Sequence, residues 1–151
     1  MSNCCLKTKC IQCCINTNMV LTYRDIENIQ KRGYDRQFFI LEQNGWLQLK
    51  NYQGRCVFHN SIQCTIYFQR PEGCTLYPVV YDKDNNSAIL DSECPQQQCF
   101  PLSKVKSQQL HRLISILEKE RTERRQTQNS KKTKKTIGRC NSVSPFFDTH
   151  P

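Results

Sequence analysis

Cys5, Cys10, Cys13 and Cys14 put four soft sulfur donors into ten consecutive positions. A Cys-x-x-Cys turn such as Cys10–Cys13 brings two sulfurs close enough to share one metal, because tetrahedral zinc or an iron–sulfur cluster needs its thiolates close together. Neighbouring cysteines point different ways from the backbone, so Cys13 and Cys14 favour two centres or a cluster over a single ion. Later cysteines must complete either arrangement. Cys56, Cys64 and Cys74 follow at Cys-x7-Cys-x9-Cys, and Cys94 and Cys99 at Cys-x4-Cys. The candidate ligands are therefore Cys5, Cys10, Cys13, Cys14, Cys56, Cys64, Cys74, Cys94 and Cys99, with Cys94 and Cys99 as alternatives for one late role. The competing meaning of the same residues is buried thiols or disulfides.

All-sulfur ligation selects zinc or iron–sulfur over magnesium or calcium, since soft donors suit those metals. Zinc sites usually show paired Cys-x2-4-Cys units, as at Cys10/Cys13 and Cys94/Cys99. Scattered single cysteines, as at 56, 64 and 74, suit a cluster better, and the balance leans to iron–sulfur. Among other groups, His59 lies between two candidate ligands and is weighed as an extra donor or proton shuttle against an exposed loop histidine. Arg70 either balances thiolate charge or pairs with a surface carboxylate. Cys4 and Cys140 have no partner at useful spacing and are expected to be free.

The elements that must position these sulfurs are short. Met19-Val20-Leu21 reads as a strand, and Thr22 as the N-cap of a helix over about 23–32, with Asp25 in capping-box position and Gly33 as its stop. Residues 37–51 read as a β-hairpin around Asn44-Gly45, because both central residues of a type I′ turn need positive φ. Pro71 biases Arg70 away from helix and ends any turn begun at Cys64. Residues 79–93 read as another hairpin. Leu110, Leu113, Ile114 and Leu117 form one face of a helix over about 103–124 that closes the core as a lid. The fold class is α+β: a small, cysteine-rich, metal-stapled domain over 1–125, with a basic tail at 126–151 expected to be disordered.

Composition supports a staple. The chain has 151 residues, 11 of them cysteine, and its hydrophobic share of 37% includes those cysteines. A core that thin needs cross-links. No apolar stretch has signal-peptide length and none approaches a membrane span, so the expected location is the reducing cytoplasm, where metal sites are commoner than disulfides. The net charge of +9 is uneven: residues 121–140 hold eight Lys or Arg against Glu123, which is +7.

The chain resembles the YkgJ-like cysteine-cluster family, described as a zinc- or iron-chelating domain, over about residues 5–100. Cys5-x4-Cys10-x2-Cys13-Cys14 is similar to the family's opening cluster, and Val20-Leu21-Thr22-Tyr23-Arg24-Asp25-Ile26 to the segment after it. Cys56-Val57-Phe58, then Cys64-Thr65-Ile66-Tyr67-Phe68-Gln69-Arg70-Pro71-Glu72-Gly73-Cys74-Thr75-Leu76-Tyr77-Pro78, resemble its central signature. One departure is that many members open with Cys-x-x-Cys-x-x-Cys-Cys, a spacing that here assigns the first cysteine's place to Lys7. The resemblance implies metal binding. Some flagellin lysine methylases carry such a domain, which implies iron–sulfur chemistry and methyl transfer. The chain has no Gly-x-Gly-x-x-Gly and no phosphate loop for a nucleotide cofactor.

Two functions of different class follow. One is a metal or iron–sulfur centre supporting redox or methyl-transfer chemistry, alone or with a protein partner. The other is a zinc-stapled interaction module whose basic tail, with Lys131-Lys132-Thr133-Lys134-Lys135, contacts nucleic acid non-specifically; a merely solvated tail is the plainer meaning of such a run.

Overall fold

The computed structural model describes residues 4–137; Cys140, His150 and the rest of the tail after Ile137 lie outside the described residues. The fold is a small α+β arrangement of five helices and three two-stranded hairpins within that range. Helix α1 (Cys4–Thr8) and a 3-10 turn (Gln12–Cys14) form an N-terminal arm. Helix α2 (Tyr23–Gln30) begins at Thr22, whose side chain accepts from Asp25 N while the Asp25 carboxylate accepts from Thr22 N. It presents Asp25, Ile26 and Ile29 inward and stops near Gly33, at φ +91°.

A single helical turn, α3 (Arg36–Phe39), leads into β1 (Ile40–Gln43), which pairs antiparallel with β2 (Trp46–Leu49) in the register Ile40↔Leu49 to Gln43↔Trp46. Asn44 (φ +53°) and Gly45 (φ +79°) make the turn, as a two-residue type I′ connection requires. A second hairpin, β3 (Asn51–Tyr52) with β4 (Arg55–Cys56), turns at Gln53 and Gly54, both also at positive φ. It carries Cys56 to the site.

Met19–Leu21 is extended along β2, with Leu21 N bonded to Leu47 O and Leu49 N to Met19 O. It makes one bridge, Val20 with Gln48, and not the expected strand, because the chain turns into the Thr22 cap at once. Helix α4 (Glu72–Leu76), unforeseen in the sequence, starts directly after Pro71 and holds Cys74. Strands β5 (Val79–Asp82) and β6 (Ser87–Leu90) form the third hairpin.

Helix α5 (Lys104–Ile137) runs well past the expected end near residue 124, so residues 126–137 are helical rather than disordered. The run from Lys104 to Ile137 holds no Gly or Pro and is rich in Gln, Glu, Lys and Arg, which lose little freedom in a helix. Leu110, Leu113 and Leu117 are buried against Leu76 and Val79, the lid expected from their spacing. Among the described residues no helix is long and apolar enough to cross a membrane.

Candidate metal centre

Three separate pieces of chain converge on one cavity of about 200 Å³: Cys5, Cys10, Cys13 and Cys14 from the N-terminal arm, Cys56 and Cys64 from the middle segment, and Cys74 from α4. The arm can deliver four sulfurs because it reverses tightly. Cys10 N bonds Cys5 O (3.0 Å), Lys9 takes φ +53° at the reversal, and Cys14 N bonds Ile11 O (2.8 Å). Cys5 lines the cavity while Lys7 is exposed, so the sulfur two residues earlier than the family spacing is the one that faces inward. Cys94 is buried beside this group, near enough to Cys10 and Cys13 for their charges to be felt.

Cys4 is not free. Its sulfur is bonded to Cys99, with the two Cα atoms 6.4 Å apart, because α1 and the 3-10 turn at Gln97–Cys99 lie side by side. That pairing corrects two expectations: Cys99 is taken out of the set of thiols, and one disulfide forms where none was expected. Eight free thiols remain among the described residues: Cys5, Cys10, Cys13, Cys14, Cys56, Cys64, Cys74 and Cys94.

Their electrostatics separate Cys13 from the rest. A hydrogen bond from the Cys14 thiol, its own backbone N–H and the nearby Arg70 charge bring Cys13 down to about 7, against the effect of burial. Cys14 is pushed up in turn, as the donor of that bond and by burial beside Cys13, Cys56 and Cys64. Burial is the chief cause that raises Cys5, Cys56, Cys64 and Cys94, and it raises Cys74 furthest. Three of these sulfurs also receive a backbone N–H from two residues onward: Phe58 to Cys56, Ile66 to Cys64 and Gln96 to Cys94. Such bonds favour the ionised sulfur and fix its direction, as the surroundings of metal ligands do. No residue-type pattern announces them, since the donors are main-chain groups.

Around the thiols sit polar groups of distinct character. His59 is 9% exposed, which corrects the expectation of an exposed loop histidine. Its Nδ1 accepts from Ser61 N (3.2 Å), which leaves the proton of the neutral ring on Nε2, and burial followed by the Arg55 charge holds it neutral. Tyr77 lines the cavity and donates its hydroxyl to Asp91 Oδ2 at 2.9 Å. Arg70 lies over the Tyr67 ring at 4.1 Å.

The sulfurs ring a cavity rather than a point. Among the described residues no three His, Cys, Asp or Glu side chains are grouped tightly enough to hold an ion as they stand. The donor set nevertheless fits a thiophilic metal, because seven thiols line one enclosure and two of them, Cys56 and Cys64, receive main-chain N–H groups.

The comparisons agree with this chemistry. The CxxCxxCC family, described as a "putative zinc- or iron-chelating domain", matches residues 3–95. No curated protein and no solved structure matches the chain. Because that match spans well over half of the sequence, this chain belongs to the CxxCxxCC family of zinc- or iron-chelating, YkgJ-like domains.

Proposed function

We propose that the chain holds an iron–sulfur cluster, in preference to zinc, with ligands drawn from Cys5, Cys10, Cys13, Cys14, Cys56, Cys64, Cys74 and Cys94. The observation that carries this is the cavity of about 200 Å³ walled by seven thiols. One zinc ion with four thiolates at about 2.3 Å fills its own cage, leaving neither room nor use for three more sulfurs. A cluster occupies such a space. Cys13 lies within electrostatic reach of Cys5, Cys14, Cys56, Cys64, Cys74 and Cys94, drawn from every segment around the cavity, which supports one shared centre.

Such a centre would supply one-electron chemistry to a partner or to a methyl-transfer reaction, with the exposed Cys13 at its open side. A reducing compartment such as the cytoplasm suits it. Anaerobic purification of the full chain, with iron, zinc and sulfide measured together, tests the reading. Brown protein with iron and sulfide in equal amounts supports a cluster. Colourless protein with zinc replaces it by zinc, and protein with neither metal overturns the metal centre.

A second reading keeps the metal as a zinc staple and gives the function to α5. Its favouring observation is that the helix carries Arg125, Lys131 and Lys132 exposed beyond the packed stripe. Binding to nucleic acid that falls steeply with salt, and is lost on deleting residues 126–151, is the outcome this reading requires.

A further inference from the structure

We infer that Arg70 is the built-in counter-ion of the thiolate centre, offsetting its negative charge without ligating the metal. The inference rests on the metal-centre reading and adds a residue whose role is positioning and charge. Three observations meet at this side chain. Arg70 lines the same cavity as the seven thiols. It is held there rigidly, donating Nη1 to Tyr67 O and Nε to Cys74 O (3.4 Å) with its plane over the Tyr67 ring. Among the described residues it forms no ion pair with a carboxylate, whereas Lys31, Arg112 and Arg124 each do.

A half-buried guanidinium with no carboxylate is costly unless some other anion answers it. The anions at hand are sulfurs. The charge of Arg70 acts on Cys5, Cys13, Cys64 and Cys74, which come from all three segments that build the cavity. A divalent ion with four thiolates carries net charge −2, and burying that charge needs a fixed cation nearby. Lys9, the other cation at the cavity, is exposed at its mouth and is screened by water. Pro71 is part of the device: it forces Arg70 out of helix, to φ −62° and ψ 156°, and so aims the side chain back over the turn that precedes it.

The test is cobalt(II) loading of the reduced, metal-free full chain, read by sulfur-to-cobalt charge-transfer absorption. R70Q, which keeps a donor for Tyr67 O, is compared with R70K, with wild type, and with R24Q, which removes an exposed charge that does not line the cavity. R70Q is expected to bind cobalt roughly ten- to a hundredfold more weakly at pH 6 than wild type. R70K should recover most of the loss, and R24Q should match wild type. A purely structural role for Arg70 predicts no rescue by lysine, and that result overturns the inference. So does R70Q loading like wild type at pH 6. Wild type that takes up no cobalt at all instead overturns the metal centre itself.

Discussion

The molecule has two cores built on different principles. The first gathers Leu21, Ile26, Ile29, Phe39, Ile40, Leu47, Leu49, Cys56, Phe58 and Ile66, with Cys14, Cys64 and Cys74 packed against it. Its elements are one- or two-turn helices and strands of two to four residues, too short to hold their shape by themselves. The second gathers Leu76, Val79, Leu110, Leu113 and Leu117, with no cysteine, under the long helix α5. A longitudinal stripe of leucines on a regular helix needs only burial to be stable, whereas the first core surrounds thiols whose sulfurs still face a cavity. The difference predicts that a bound metal would stabilise mainly the first region and hydrophobic contact the second.

The largest test of that division is metal removal. Exhaustive chelation of the reduced protein, or the C56S/C64S double substitution, should dissolve the fixed packing of the first core. Structural zinc sites contribute on the order of 10 kcal/mol, comparable with the whole stability of a small domain. Hydrogen exchange should show amides of β1, β2 and β4 losing protection while those around Leu113 in α5 retain more of theirs. Equal loss in both regions would mean that the cores form one cooperative unit, and no loss in either would mean that the thiols are bystanders.

The metal-free protein should also weaken in alkali. Burial raises Cys5, Cys56, Cys64, Cys74 and Cys94 in the folded state, and donation to Cys13 raises Cys14. Once the pH passes the unfolded thiol value of about 8.5, the unfolded chain holds fewer protons, so folding stability falls as pH rises further. Cys13, lowered to about 7, works the other way between 7 and that value, but it is one thiol against six. With metal bound the thiols carry no protons, so the alkaline loss should disappear and an acid one replace it. Melting temperatures against pH, with and without metal, check both limbs.

In the second region, L113A should cost about 2–5 kcal/mol, the usual range for emptying a buried leucine position. Leu113 is 3% exposed, so little of the void can be filled by solvent or by relaxation. Denaturant melts should register the loss while metal per folded molecule stays constant. Metal content falling in step would show that α5 supports the thiol cavity as well as its own core.

The legible parts of this protein were those whose cause is local. Asn44-Gly45, the Thr22–Asp25 cap and the leucine stripe each declare themselves within a few residues, and each stands where its spacing puts it. The hairpin at Gln53-Gly54 was hidden because only glycine in that turn is a strong signal, and its strands are two residues each. The grouping of seven thiols on one cavity accords with the cysteine spacing, but the Cys4–Cys99 bond depends on two distant segments meeting, which no local pattern records. Arg70 looked equally suited to a surface carboxylate until its neighbours were known. The extension of α5 was concealed by polarity: low apolar content reads as disorder, yet the same residues are good helix formers once a packed stripe nucleates the helix.

Asp25 sits where the two regions join, and it should respond to both. Its carboxylate accepts from Thr22 N (3.0 Å) and Thr22 Oγ1 (2.8 Å), and its other oxygen from Glu72 N (3.0 Å) at the start of α4. That helix sends Cys74 to the cavity and Leu76 to the second core. D25A should cost about 2–3 kcal/mol, combining a lost cap with two buried donors left unmet. It should also weaken cobalt loading modestly, and an unchanged affinity would detach α2 from the placement of Cys74.

The smallest expected effect lies at the other junction. Arg121 of α5 stacks over Trp46 of β2 at 4.4 Å and donates Nε to Asn44 O at 3.0 Å, fastening the long helix to the first hairpin. Because the contact is partly wet, a double-mutant cycle of R121A with W46L should return a coupling of about 0.5–1 kcal/mol. R121K should lose most of it, since an ammonium keeps the charge but not the flat face that lies on the indole. A coupling well above that range would mean that the hairpin leans on α5 for its stability, and the boundary between metal-held and leucine-held regions would have to move to include β1 and β2 on the helix side.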